Sequence, residues 1–216
     1  MFFSLLFAFG FLLSPLVGQA SDENEFTEED FEEAQKLGVY DESFTYEDVL
    51  AIEEENQSYY EDLKNEKPIT PNQSYTPRGG DILTTSSTSS FGVTGHSGIV
   101  VGGRQVLHFP GPNDRVEQIP WAEWIERYPK TRVDRPNSAT VAANARDWAI
   151  NNVVGTNPSY MITTNITSLD PTYCSKITWQ SYYFIGHAST PFTNIIAPYS
   201  VVNHVTTPTT VIFNTM

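Results

Sequence analysis

The chain holds one cysteine in 216 residues, so no intramolecular disulfide can staple it. In an exported chain a lone cysteine marks a free reactive thiol or an intermolecular bridge, with a buried inert residue as the plain alternative. Basic residues are also scarce: 12 Lys and Arg stand against 26 Asp and Glu, a formal charge of −14. They form no cluster, which excludes nucleic acid as an expected partner. Beyond residue 20 no apolar run is long enough to cross a bilayer. There is no internal repeat. With no second Cys and no HExxH helix, neither a metal nor a cofactor is expected.

What is present starts with Met1–Ala20. Its long apolar stretch ends on Gly18-Gln19-Ala20 before a polar start at Ser21, which reads as a signal peptide. The expected location is therefore secreted or extracytoplasmic, with no stable membrane insertion after signal removal. A retained anchor is the alternative, because no Lys or Arg precedes the run.

The acidity is uneven. Residues 21–67 hold 18 of the Asp and Glu and three Lys, whereas the remainder has 8 acids and nine bases. An acidic segment, 21–67, is thus set apart as a pro-region or spacer. Thr27-Glu-Glu-Asp30 and Thr45-Tyr-Glu-Asp48 look like helix N-caps. Phe31, Ala34 and Leu37, then Val49 and Ile52, supply sparse apolar faces. Residues 68–77, with three prolines, read as a linker. The main domain is expected over 78–216. Asn56, Asn72 and Asn165 open Asn-x-Ser/Thr sequons, relevant only in a eukaryotic source.

Within the main domain, Asp81–Thr85 reads as a strand and Thr84–Gly95 as a Ser/Thr-rich loop. Ser97–Val101 and Arg104–Phe109 read as strands around a Gly102-Gly103 turn. Helices are expected over Trp121–Tyr128, over Ala139–Val154 with Ser138 as cap and Gly155 as stop, and over Cys174–Ile185 before Gly186. The Val- and Thr-rich tail supplies further strands.

A thiol nucleophile needs a stabilised thiolate and a base. Cys174 falls at an expected helix start, where free N–H groups and the dipole favour negative charge and can hold an oxyanion. His96 and His108 bracket the hairpin. With a three-residue loop they would pair directly, and with a two-residue turn at Gly102-Gly103 they would point to opposite faces. The expectation is an odd loop or a bulge, with His96 as base and His108 fixing its tautomer. His187 and His204 are expected to be structural or surface residues.

Gly80-Asp81-Ile82-Leu83, Gly95-His96-Ser97-Gly98-Ile99 and Val106-Leu107-His108 resemble the core of NlpC-type cell-wall peptidases. There the cysteine precedes this core. Here Tyr173-Cys174-Ser175-Lys176-Ile177 follows it, which resembles the circularly permuted papain-fold group. That group includes YiiX-like amidases and is related to the lecithin:retinol acyltransferase family. Arg132-Val133, Ser159-Tyr160 and Ala197-Pro198 fall at corresponding places. The resemblance spans about Tyr75 to Phe213. It implies an α+β, circularly permuted papain-like (NlpC-type) fold with an antiparallel sheet packed with helices. It also implies Cys174 as nucleophile, His96 as base and His108 as the third polar residue. Many permuted members carry an acid at that third position, a departure that leaves the orienting group open.

The expected activity is that of a cysteine amidase or peptidase cleaving an amide through a thioester, on a peptide of the cell-wall type or an acyl-bearing small substrate. A lipid-directed acyl hydrolase or acyltransferase is the second reading, and a non-catalytic secreted interaction module the third. An apolar pocket at Cys174 would favour lipid, and a polar open groove would favour peptide.

Overall fold

The computed structural model describes residues 26–66 and 75–216. The expected signal peptide and most of the linker lie outside these residues. Two capped helices come first: α1 over Glu28–Lys36 and α2 over Tyr46–Asn65. Thr27 and Thr45 each close a capping box with the acid three residues on, Asp30 and Asp48. The side-chain oxygen of each Thr accepts from a helix N–H that has no intrahelical partner. Phe31, Ala34, Val49 and Ile52 are buried, while Leu37 is half exposed.

A six-stranded sheet follows in chain order: β1 (Ile82–Ser90), β2 (Val93–Gly102), β3 (Gln105–His108), β4 (Glu117–Pro120), β5 (Thr131–Pro136) and β6 (Thr209–Asn214). The spatial order is β4-β3-β2-β1-β5-β6, and every pairing is antiparallel. The remaining helices are α3 (Trp121–Arg127), α4 (Ala139–Asn152), α5 (Cys174–Tyr183) and α6 (Val201–His204). Ser138 caps α4 through its hydroxyl, as expected.

The sheet is buried on both faces, and residues alternate between two cores. Ile82, Ile99 and Leu107 join a core with α1, α2, α4 and α5. Leu83, Val100, Val106 and Val133 join a second core around Trp124 of α3. A continuous apolar run such as Ile99-Val100-Val101 is what a doubly covered strand requires.

Two expectations need correction. Thr84–Gly95 is not a loop, because β1 runs to Ser90 and β2 starts at Val93 around a tight turn at Phe91-Gly92, both at positive φ. Thr and Ser are tolerated in a strand when their hydroxyls find partners, as Thr85 Oγ1 does at Lys130 O (2.7 Å). The β2–β3 turn sits at Gly103-Arg104, one residue later than expected.

The acidic segment is part of the body. Ile162 N donates to Val39 O (2.7 Å) and Asp41 N to Ile162 O (3.0 Å). Tyr40 Oη donates to Phe91 O (2.5 Å). Asn56 is fully buried: Nδ2 donates to Thr94 O (2.9 Å) and Oδ1 accepts from Tyr199 N (3.0 Å). The Gly80-Asp81 pair is structural. Asp81 accepts from Arg78 N (2.8 Å), Tyr75 Oη (2.7 Å) and Arg135 Nε (2.7 Å). A Cβ on Gly80 would lie 2.3 Å from the Ala142 carbonyl oxygen, so only glycine allows α4 to approach this closely.

Candidate functional site

The hairpin decides whether the two histidines meet. Gly98 pairs with His108 and Val100 with Val106, and the register then shifts so that Gly102 pairs with Gln105. This is the expected bulge, although His108 stands opposite Gly98 and not opposite His96. Residues 96 and 98 share a face, so His96 and His108 are diagonal neighbours. Gly98 leaves room on that face for Trp124, since a Cβ there would lie 3.1 Å from Trp124 Cζ3. His96 Nε2 lies 2.9 Å from His108 Nδ1.

Both rings are buried against an aromatic cage. Trp124 stacks on His96 at 5.6 Å between centroids, and Tyr128 lies 5.2 Å from His96 and 5.9 Å from His108. Burial, reinforced by the neighbouring ring, holds His96 well below the ordinary histidine pKa. Burial also lowers His108, against the upward pull of Glu117.

Glu117 extends the chain. Its Oε1 is 3.2 Å from His108 Nε2, close enough for charge to act although the pair is not aligned as a hydrogen bond. The same oxygen meets Arg127 Nη1 at 2.5 Å. An ionised Glu117 favours a proton on His108 Nε2, which makes His108 Nδ1 an acceptor. His96 Nε2 then donates, and His96 Nδ1 keeps its lone pair. Sequence reasoning missed Glu117. The signal lies in β4, whose pairing sets Glu117 opposite His108.

Cys174 is the first residue of α5, with Tyr173 as the extended N-cap. Its thiol lies 3.9 Å from Ser175 Oγ, which itself donates to Ile196 O (2.6 Å). The thiol is buried, and burial raises its pKa. The N–H of Ser97, the hydroxyl and N–H of Ser175 and its own N–H pull the other way. Ser97, next to His96 on β2, also donates through Oγ to Thr178 of α5 (3.1 Å). The start of α5 is thereby fastened to the strand carrying His96. Among the described residues no hydrogen bond joins Cys174 to His96. Tyr128 packs against the His96 ring, and burial pushes its own pKa up to about 12.

The thiol opens on a narrow cleft. Its apolar wall comes from Val93, Tyr160, Ile162, Ile195, Ile196 and Pro198, around a small space of about 20 Å³. The loop from Thr163 to Thr172, between the wall residues Ile162 and Tyr173, is held down by α5. Lys176 Nζ donates to Asn165 O and Pro171 O (both 2.8 Å), and Gln180 Nε2 to Ile166 O and Ser168 O (both 2.7 Å). Burial lowers the Lys176 pKa to about 8. Neither His187 nor His204 is among the hydrogen-bond partners of Cys174, His96 or His108. His204 Nδ1 approaches Ser189 Oγ at 3.5 Å.

Among the described residues no group of three or more His, Cys, Asp and Glu could hold a metal ion. The facing nitrogens of His96 and His108 are spent on each other.

An antiparallel α+β sheet that presents a helix-start cysteine, a buried histidine pair and an apolar cleft defines a protein of the hydrolase or acyl-handling class. The chain belongs to the family described as lipoprotein N-acylation protein LnsA-like, whose model matches residues 48–211. It is 29% identical over 192 residues to an uncharacterised 30.3 kDa protein of Bacillus thuringiensis, covering 80% of this chain and 71% of that one. A crystal structure of metalloprotein yiiX from Escherichia coli O157:H7, DUF1105, superposes with a TM-score of 0.45 at 15% identity, over 65% of this chain and 98% of that chain. Among the described residues no helix is long and apolar enough to cross a membrane.

Proposed function

We propose that the protein transfers an acyl group through a thioester on Cys174, taken from a lipid-type acyl ester and passed to an amine or to water. The observation that carries this reading is the apolar cleft at the thiol. The lining matches an aliphatic chain in polarity, whereas a polar cell-wall peptide would leave its amides unpaired there. The family's lipoprotein N-acylation description supports an amine as acceptor.

In this reading His96 Nδ1 takes the thiol proton as Sγ attacks the ester carbonyl carbon. A C–S bond forms, the C–O bond breaks, and the leaving alcohol collects the proton from His96. An incoming amine or water then gives its proton to His96, attacks the thioester and releases Sγ, which regains the proton. The Ser97, Cys174 and Ser175 N–H groups that favour the thiolate are placed to hold the oxyanion. His108 and Glu117 keep His96 in the tautomer that accepts at Nδ1. The chain order, with His96 and His108 on the antiparallel sheet and Cys174 following at the head of α5, supports a circularly permuted papain-like arrangement, and Met1–Ala20 supports export.

The test is vesicles of phosphatidylcholine or phosphatidylglycerol carrying labelled acyl chains, followed by mass analysis of the Cys174 peptide. A hydroxylamine-labile acyl group on Cys174 is expected. It should be absent in Cys174→Ala and form about 100-fold or more slowly in His96→Ala. Label that persists in Cys174→Ala, or none on the parent protein, rejects the mechanism.

A further inference from the structure

Two lips frame the thiol cleft, Gly95 of β2 on one side and Pro198 on the other. The space at the thiol is about 20 Å³, room for roughly one water. A larger group must part the lips to reach Cys174. The Pro198 lip is fixed at its near end, because the two neighbours of Cys174 grip Ile196 by both its backbone groups. Ile196 N donates to Tyr173 Oη (3.0 Å), and Ile196 O accepts from Ser175 Oγ (2.6 Å). The far end is fixed by α2. Asn56 Nδ2 donates to Thr94 O (2.9 Å), one residue before Gly95. Asn56 Oδ1 accepts from Tyr199 N (3.0 Å), one residue after Pro198. Tyr60, a turn further along α2, packs its ring on Tyr199 at 5.0 Å between centroids. Tyr199 in turn lies so close to the opposite lip that a Cβ on Gly95 would be 2.7 Å from its Cε1.

We propose that Asn56, backed by Tyr60, is a positioning residue of the thiol site: it ties the two lips together and so decides how wide a group reaches Cys174. The proposal deepens the acyl-transfer reading above and rests on it for Cys174 as the reacting atom. One amide serves both lips because it carries donors at one end and an acceptor at the other. Asn56 is fully buried, so both bonds form away from water, where a polar group left without its partner is costly. Parting the lips leaves at least one of the partners unpaired inside the protein, which slows a wide reagent about tenfold or more. Glu53, a turn earlier on α2, accepts from Thr94 N (2.9 Å) and holds the Gly95 lip by its other backbone group. The acidic segment thereby governs access to the thiol without touching the reacting atoms.

Girth is the readout. The full chain is treated at pH 8 with methyl or benzyl methanethiosulfonate, and modification of its one cysteine is followed by intact mass. In each case the thiolate attacks the reagent's divalent sulfur, a disulfide forms and methanesulfinate leaves. Dividing the methyl-to-benzyl rate ratio by that of glutathione removes the reagents' own reactivity. The quotient should exceed about ten in the parent. It should fall about tenfold in Asn56→Leu and Asn56→Ala, and about threefold in Tyr60→Ala, which removes only a ring contact. Val133→Ala cuts the core on the other face of the sheet and should keep the parental quotient, although it too costs stability. A quotient near one in the parent overturns the proposal. So do parental quotients in Tyr60→Ala and in every Asn56 variant that folds, and so does an equal fall in Val133→Ala, which would mark general loosening. These reagents need no acyl donor, so this test and the vesicle acylation that tests the underlying reading fail separately.

Discussion

Gly98→Ala adds a single methyl group at the point where the two histidines meet. A Cβ there would lie 2.8 Å from Val106 Cγ1, 3.1 Å from the Leu107 carbonyl oxygen and 3.1 Å from Trp124 Cζ3. None of these neighbours is the free end of a long side chain. Val106 is β-branched and fully buried, Leu107 O belongs to the ladder, and Trp124 is fully buried. Relief must therefore come from small shifts of several packed groups, which costs about 1–3 kcal/mol for an overpacked core. In a domain of this size that lowers Tm by roughly 2–12 °C. The displaced Trp124 stacks on His96, so Cys174 acylation should fall more than stability alone explains. Urea unfolding of Gly98→Ala, Val106→Ala and the double variant gives the coupling between the two sites. If Val106 is the obstacle, the double variant recovers part of the loss. Parental stability and acylation in Gly98→Ala, or strictly additive losses, would refute the claim that close packing over residue 98 holds Trp124 against the histidine pair.

Four more outcomes follow from the site and its supports. Burial raises the Cys174 pKa, so iodoacetamide labelling should be slow at neutral pH and speed about tenfold per pH unit through the ordinary thiol range near 8.5; fast labelling that is flat below pH 7 would contradict this. His96 and His108 are both held below the ordinary value of about 6.5, so the unfolded chain takes up protons first. Their contribution to stability should be complete above about pH 6.5 and be lost as pH falls toward the folded-state values, which His→Gln variants compared by denaturant titration at pH 5 and 8 would expose. Glu117→Gln removes the carboxylate that pulls His108 upward; His108 should titrate lower still by NMR and acylation should slow about tenfold, and an unchanged rate and shift would remove Glu117 from the relay. Asn56→Ala strands Thr94 O and Tyr199 N inside the protein, a loss of about 2–4 kcal/mol that thermal melts would read directly.

Much of the local structure is written in short-range chemistry. Thr27 and Thr45 with their acids mark two helix starts, and Ser138 marks a third, because a cap is a contact between residues three apart. Cys174 at the head of α5 has no side-chain cap and is legible from Asp170-Pro171-Thr172 before the helix and Gly186 after it. The pairing of His96 with His108 was open to parity reasoning because side chains alternate across a strand. Even there the sequence left the register undecided by two residues, since only cross-strand packing over Gly98 sets which residue faces His108. The Thr84–Gly95 stretch misled because its Ser and Thr content reads as a loop, while tertiary hydrogen bonds such as Thr85 to Lys130 make it strand.

By itself, then, the sequence determined one thiol, at a helix start, with two histidines on an adjacent hairpin, because these rest on composition, caps and period-two alternation. The tertiary structure alone decided the rest. It put Glu117 behind His108 through the β3–β4 pairing. It caged the imidazoles in Trp124 and Tyr128, so that burial rather than a neighbouring charge governs their titration. It also folded the acidic segment onto the cleft, since a polar helix shows its use only when its buried Asn56 meets Thr94 and Tyr199. These are contacts between residues far apart in the chain, and no local pattern encodes them.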